Sequence, residues 1–213
     1  MNKIILAVVD TETAGGFKYP FIYNLAYTIE ELDLDTAEVK TLVERDFVIK
    51  QIWQNRELMQ TAYYERKRPL YTSMLKGRKA KAVNYGVAIA TFKKDLEKAH
   101  AESVWAFNSS FDNRAIHFNN EWYKKPRDYF PYELQDIRPI ISKLVDAKEY
   151  ETFCRENGFI TEKENINTTA ESFYAFVYSN PNHIEKHLAL SDAREEMALL
   201  EWCYLNNKCR AIF

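Results

Sequence analysis

The first apolar block of the chain is unbroken. Ile4 to Val9 are six successive hydrophobic residues, rich in β-branched side chains and followed at once by Asp10, Thr11 and Glu12. That pattern predicts a central strand, buried on both faces, that ends in polar residues. Ala14, Gly15 and Gly16 then supply a turn. Residues 21–29 (FIYNLAYTI) and 39–49 read as a second and a third strand. Their short connections predict an antiparallel meander that begins with the buried strand. At 83–99 the period becomes helical, with Tyr85, Ile89, Phe92, Leu96 and Ala99 on one face and most charges elsewhere. A short buried strand is expected at 103–107. Asn108, Ser109 and Ser110 then offer helix-capping chemistry before a helix that carries Phe111, Ala115, Phe118 and Trp122 on one stripe. A last edge strand is expected at 132–135, with Asp136 capping a helix over 137–145. Further helices are expected at 149–157, ending at Gly158, at 168–178 and at 191–206.

Composition narrows the class. A chain of 213 residues with 46% hydrophobic and 28% charged residues is expected to form one domain with a substantial core. The net charge of −2 gives no overall cationic field, so a polyanion would be held by a local patch or by metal ions. Cys154, Cys203 and Cys209 lack metal-ligand spacing and fit reduced thiols in a cytoplasmic protein. No secretory leader or membrane span is expected, since no apolar run approaches 18 residues. One region has a bias of its own. Between Tyr63 and Lys81, within a longer stretch at about 51–82, cations and aromatic rings alternate with Glu65 as the one acid. Arg78, Lys79 and Lys81 belong to it. Such interleaving suits single-stranded nucleic acid, where cations follow phosphates and rings stack on bases. It equally suits a solvated insertion whose aromatics pack on the core.

The candidate chemistry is carboxylate chemistry. Asp10 and Glu12 lie two apart on an extended strand and so point the same way. Two adjacent negative charges call for a hard cation between them, magnesium or manganese. Asp112 falls in the first turn of its helix, and Asp192 in the first turn of the last one. His187 is five residues before Asp192, which on a continuous helix would separate the two by about 140°. They converge only if His187 stands in a loop ahead of the helix. His183, nine residues before Asp192, is a competing candidate for the same role.

Three motifs in this order resemble the DEDDh branch of the DEDD 3′–5′ exonucleases, the group of DnaQ-type proofreading subunits, oligoribonuclease and ribonuclease T. They are V-V-D-T-E-T with Asp10 and Glu12, A-F-N-S-S-F-D with Asp112, and H-L-A-L-S-D-A with His187 and Asp192. The resemblance runs from about Ile4 to Tyr204. Ala14-Gly15 stands where the family often has Thr-Gly, and Phe107 where it often has His. The resemblance implies a ribonuclease H-like α/β fold, a mixed five-stranded sheet flanked by helices. It implies that Asp10, Glu12, Asp112 and Asp192 hold two Mg²⁺ or Mn²⁺ ions about 4 Å apart, which activate a water and steady the leaving 3′ oxygen. His187 is implied as general base. Thr11, Thr13, Phe107 and Asn108 are expected to meet the nucleic acid, with Arg78, Lys79 and Lys81 further out. The implied partner is a single-stranded nucleic acid 3′ end, with DNA as substrate and nucleoside monophosphates as product. An exoribonuclease is the alternative, and a non-catalytic nucleic-acid-binding module a weaker one. A stand-alone enzyme and a subunit bound to a DNA polymerase both fit the sequence.

Overall fold

A computed structural model describes residues 2–101, 103–124 and 129–206. The fold is a six-stranded mixed sheet with helices on both faces. The first three strands form the expected meander: β1 (Lys3–Ala14), β2 (Phe21–Asp33) and β3 (Val39–Ile49), each antiparallel to the next. β2 lies inside the sheet, and its residues from Ile22 to Glu30 are all buried. Continuous hydrophobicity there reflects cover on two faces.

The stretch after β3 is not an open loop. It folds as α1 (Lys50–Trp53), α2 (Arg56–Met59), a 3-10 turn at Glu65–Lys67 and α3 (Arg68–Lys76). It returns to the sheet as β4 (Lys81–Val83), parallel to the end of β3. This strand is the sixth, where five were expected, and it takes Val83 out of the following helix, α4 (Tyr85–Ala99). β5 (Trp105–Ala106) pairs parallel to β1 and is shorter than expected. α5 (Ser110–Tyr123) follows. Ser109 precedes it but makes no side-chain cap, and Asn108 takes a left-handed conformation (φ 58°) instead. β6 (Gln135–Asp136) closes the order β4-β3-β2-β1-β5-β6. Then come α6 (Arg138–Leu144), α7 (Ala147–Asn157), α8 (Ala170–Val177) and α9 (Ala189–Asn206). The cap position of α6 is Ile137 and not the expected Asp136, which ends β6; the Asp136 Oδ1 still accepts from the backbone N–H of Arg138 at 3.0 Å, and also from that of Asn108 at 2.9 Å.

The register of β1 sorts its side chains between two layers. Ala7 and Val9 join the cluster under α4 and α5, while Leu6 and Val8 join the one under α9. Asp10 and Glu12 continue the even series, toward α9. Under α4, Tyr27 stacks on Phe92 at 4.0 Å and donates its hydroxyl to buried Asp95 at 2.9 Å; Asp95 also accepts from Arg45 Nε at 3.0 Å. Replacing Asp95 by Ala strands a buried hydroxyl. The expected cost is about 1–3 kcal/mol, seen as a lower urea midpoint with unchanged slope. An unchanged midpoint would show that Tyr27 finds another partner.

Cys154 and Cys203 are buried free thiols, and Cys209 lies outside the described residues. No helix among the described residues is long and apolar enough to cross a membrane.

Candidate active site

Four elements bring acidic residues to one cavity of about 770 Å³ at the end of β1. Asp10 and Glu12 leave the strand on the α9 side. Asp192, in the first turn of α9, meets them, and carboxylate oxygens of the three lie within 4.8 Å of one another. Asp112 enters from the first turn of α5. Its Oδ1 accepts two hydrogen bonds from Thr11, from the backbone N–H at 3.0 Å and from the hydroxyl at 2.6 Å. Thr11 is therefore a buried support for Asp112, and it lines the cavity as well.

Two further acids line the same cavity and were missed in the sequence. Glu196 is one helical turn beyond Asp192, is almost fully buried, and accepts from the backbone N–H of Phe107 at 3.0 Å. The i to i+4 spacing on α9 was its signal. Glu185 comes from the loop ahead of α9, and its Oε2 lies 3.6 Å from Nδ1 of His187.

Crowding these acids raises their pKa values. Burial is the largest cause throughout. It lifts Asp112 to about 7 against the pull of the Thr11 hydrogen bonds, and Asp192 to about 8 with help from Glu185 and Glu195. Asp10 is held well above its usual range by burial, Asp112 and Glu196. Glu12 is raised by burial and Asp192, and Lys67 opposes the rise. Glu185 rises to about 7 through burial and Glu195. Within this acidic cluster, Oδ1 of Asp192 is buried and makes no hydrogen bond among the described residues. A clustered, all-oxygen donor set with an orphaned carboxylate oxygen fits hard divalent cations. Asp10, Glu12 and Asp192 can hold such ions, with Asp112 alongside.

His187 stands in the loop before α9, in a left-handed conformation (φ 50°). Its ring stacks on Tyr64 at 4.2 Å and 14°. Lys67 donates its ammonium to the carbonyl of Lys186, and lies 3.4 Å from that of His187. Burial and the Lys67 charge push the imidazole pKa below 6.5, so the ring is neutral at pH 7. His183 is elsewhere: its Nε2 lies 2.9 Å from Glu195 Oε2, its ring packs on Tyr174, and it does not line the cavity.

Thr13, Phe107 and Asn108 line the cavity as expected, but Arg78, Lys79 and Lys81 do not. Lys81 sits on β4, three strands from β1, or about 14 Å at the usual strand spacing. Arg78 and Lys79 form the turn that leads into it. The part of the 51–82 stretch that lines the cavity is instead Thr61, Tyr63 and Tyr64, with Lys67 against the backbone of the His187 loop.

No protein-family model matches the chain, and no curated protein does. The mixed sheet and its helical layers are nevertheless of the ribonuclease H-like type seen in solved nucleases. The crystal structure of cell-death related nuclease 4 (CRN-4) matches with a TM-score of 0.53 at 11% sequence identity, over 93% of this chain. The chain spans 62% of the length of that nuclease.

Proposed function

We propose that this protein is a metal-dependent 3′–5′ exonuclease of the DEDDh type, acting on single-stranded DNA and releasing nucleoside monophosphates. One observation carries the reading. Asp10, Glu12, Asp112, Asp192 and His187, from four separate segments, converge on one cavity in which an Asp192 oxygen has no partner among the described residues. The likeness to a solved nuclease supports it. The two buried free thiols suit a reducing, cytoplasmic setting.

In this mechanism Asp10, Glu12, Asp112 and Asp192 would hold two Mg²⁺ or Mn²⁺ ions. Such ions acidify a water and offset the charge that develops on phosphate and leaving oxygen. The protein's own part is orientation and proton transfer. Tyr64 and the Lys67 clamp on the loop backbone hold the imidazole in place. Glu185 beside Nδ1 favours the proton there and leaves the Nε2 lone pair to accept one from the attacking water. Phe107, Asn108 and Thr13 form the walls against which the terminal nucleotide rests.

The test is digestion of matched 3′-labelled and 5′-labelled DNA and RNA strands with Mg²⁺ or Mn²⁺. The 3′ label should leave at once as a mononucleotide, and the 5′-labelled strand should shorten stepwise. Cuts in a circular single strand would overturn the exonuclease reading. Digestion of RNA alone would replace DNA by RNA as substrate.

A further inference from the structure

A line of exposed aromatic rings leaves the mouth of the catalytic cavity and ends in a second cavity. Phe17, in the β1–β2 turn, lines the catalytic cavity and is 72% exposed. The Arg114 guanidinium covers one of its faces at 3.4 Å from the ring centre. Next come Tyr19 and Phe118, with ring centres 6.1 Å apart. Phe118 touches Phe21 at 4.9 Å, edge to face, and lies nearly parallel to Trp122 at 6.1 Å. Trp122, on the last turn of α5, is 60% exposed and forms a wall of a second cavity of about 500 Å³. Phe21 and Leu58 line it too, with Gln51, Asn55 and Glu57; the amide oxygens of Gln51 and Asn55 accept from the backbone N–H groups of Tyr85 and Leu58.

Water-exposed rings in a continuous row are costly unless something stacks on them. Two cations, Lys18 and Arg114, stand beside the rings, and one acid, Glu57, lines the second cavity at the far end. Lys18 lies 5.3 Å over the Tyr19 ring, and Arg114 makes no hydrogen bond or ion pair among the described residues. An unpaired cation beside open π-faces is complementary to a phosphate chain carrying bases. α5 gives the row its length. Asp112 at one end belongs to the catalytic cluster, and ten residues later Trp122 ends the row, about 15 Å away at the helical rise. At the ~3.4 Å spacing of stacked bases that is room for about four nucleotides.

The geometry points to a strand-binding track: the nucleotides upstream of the cleaved one stack on Phe17, Tyr19, Phe118 and Trp122. The inference rests on the nuclease reading for its direction, but its binding component can be measured without cleavage. The basic turn at Arg78 and Lys79 has no part in it.

The experiment compares wild type with Tyr19→Ala and Trp122→Ala, both exposed positions. The probes are a 12-nucleotide oligothymidylate and the dinucleotide thymidylyl-thymidine. In EDTA, the oligomer should quench the tryptophan fluorescence of wild type. The quench should vanish in Trp122→Ala, and each variant should bind the oligomer roughly 5- to 100-fold more weakly, the usual span for losing one stacked ring. With Mg²⁺, the KM for the oligomer should rise by a similar factor at unchanged kcat, while dinucleotide cleavage stays within twofold. Equal losses on both probes would overturn the track, because the rings would then support the catalytic cavity. So would oligomer affinity and KM that match wild type in both variants. A wild type that binds and quenches but cleaves neither probe would leave the track standing and sink the nuclease reading instead.

Discussion

Asp10→Asn should abolish measurable cleavage and, in EDTA at pH 8, melt at a higher temperature than wild type. The two effects have one cause. Asp10 is a half-buried carboxylate whose pKa is raised by desolvation and by Asp112 and Glu196. A raised acid pKa means that the folded state holds its proton more tightly than the unfolded chain does. Below about pH 4 both states are protonated and the group costs nothing. As pH climbs, the unfolded chain ionises first, so stability falls until the folded carboxyls have ionised too. Asp112, at about 7, and Asp192, at about 8, place that decline between about pH 4 and 8. For Asp112 alone, a rise from 3.8 to about 7 corresponds to roughly 4 kcal/mol, an upper figure for a group tied to its neighbours. Removing one charge from the cluster should return a fraction of this. At about 2–4 °C per kcal/mol for a chain of this size, a gain of about 5 °C is expected. Activity moves the other way. Residues that merely orient a metal ligand are worth about 10- to 100-fold, so loss of a ligand should exceed 100-fold. Mg²⁺ should raise the melting temperature of wild type more than that of the variant, and more at pH 8 than at pH 5. A variant that cleaves within tenfold of wild type would remove Asp10 from the mechanism. One that melts lower at pH 8 would show that the cluster is not under repulsion.

His187→Ala should slow turnover by roughly 10² to 10⁴, the usual size of a general-base contribution. Metal binding should survive, because the carboxylates are untouched. His183→Ala should stay near wild type, since that ring is engaged with Glu195 and Tyr174 outside the cavity. The pH profile supplies a second readout. A base must be neutral to accept a proton, and burial and Lys67 lower the His187 pKa from 6.5. The acid limb of kcat should therefore lie below pH 6.5. Lys67→Met removes the positive neighbour and should move that limb upward. An acid limb above pH 7 in wild type, or full activity in His187→Ala, would assign the proton transfer to another group.

Much of this site was legible because strand and helix periods fix where side chains point. Asp10 and Glu12 followed from alternation along β1, and Asp192 from the first turn of α9. The five-residue gap to His187 required a loop, and the loop is there. What escaped depends on contacts remote in sequence. β4 is three residues long and begins with a lysine, so no alternation marks it; its extended form comes from pairing with Phe47–Ile49. Arg78, Lys79 and Lys81 carry the charge expected of a strand-binding surface, but position decides, and the sheet order sets them at the far edge. Tyr64 and Lys67 gave no sign that they would meet His187. Glu196 was different. Its spacing from Asp192 is visible in the sequence, but the motif ends at Ala193 and does not include it.

The supports of the His187 loop join segments far apart in the chain. Lys67 reaches the carbonyl of Lys186 across 119 positions, and Asn24 Oδ1 accepts from both the Tyr71 hydroxyl and the N–H of Ala189, tying α3 to the start of α9. These contacts close some of the longest loops in the chain. The β1–β3 meander needs no such closure, since its strands are neighbours in sequence. Contacts that close long loops carry the larger entropic cost and form late. In a refolding experiment the circular dichroism of the sheet and helices should return first and exonuclease activity afterwards, with Tyr71→Phe widening the gap. On the proposed function, a chain that has regained its secondary structure would still lack a placed His187, and activity would wait on the closing of these long loops.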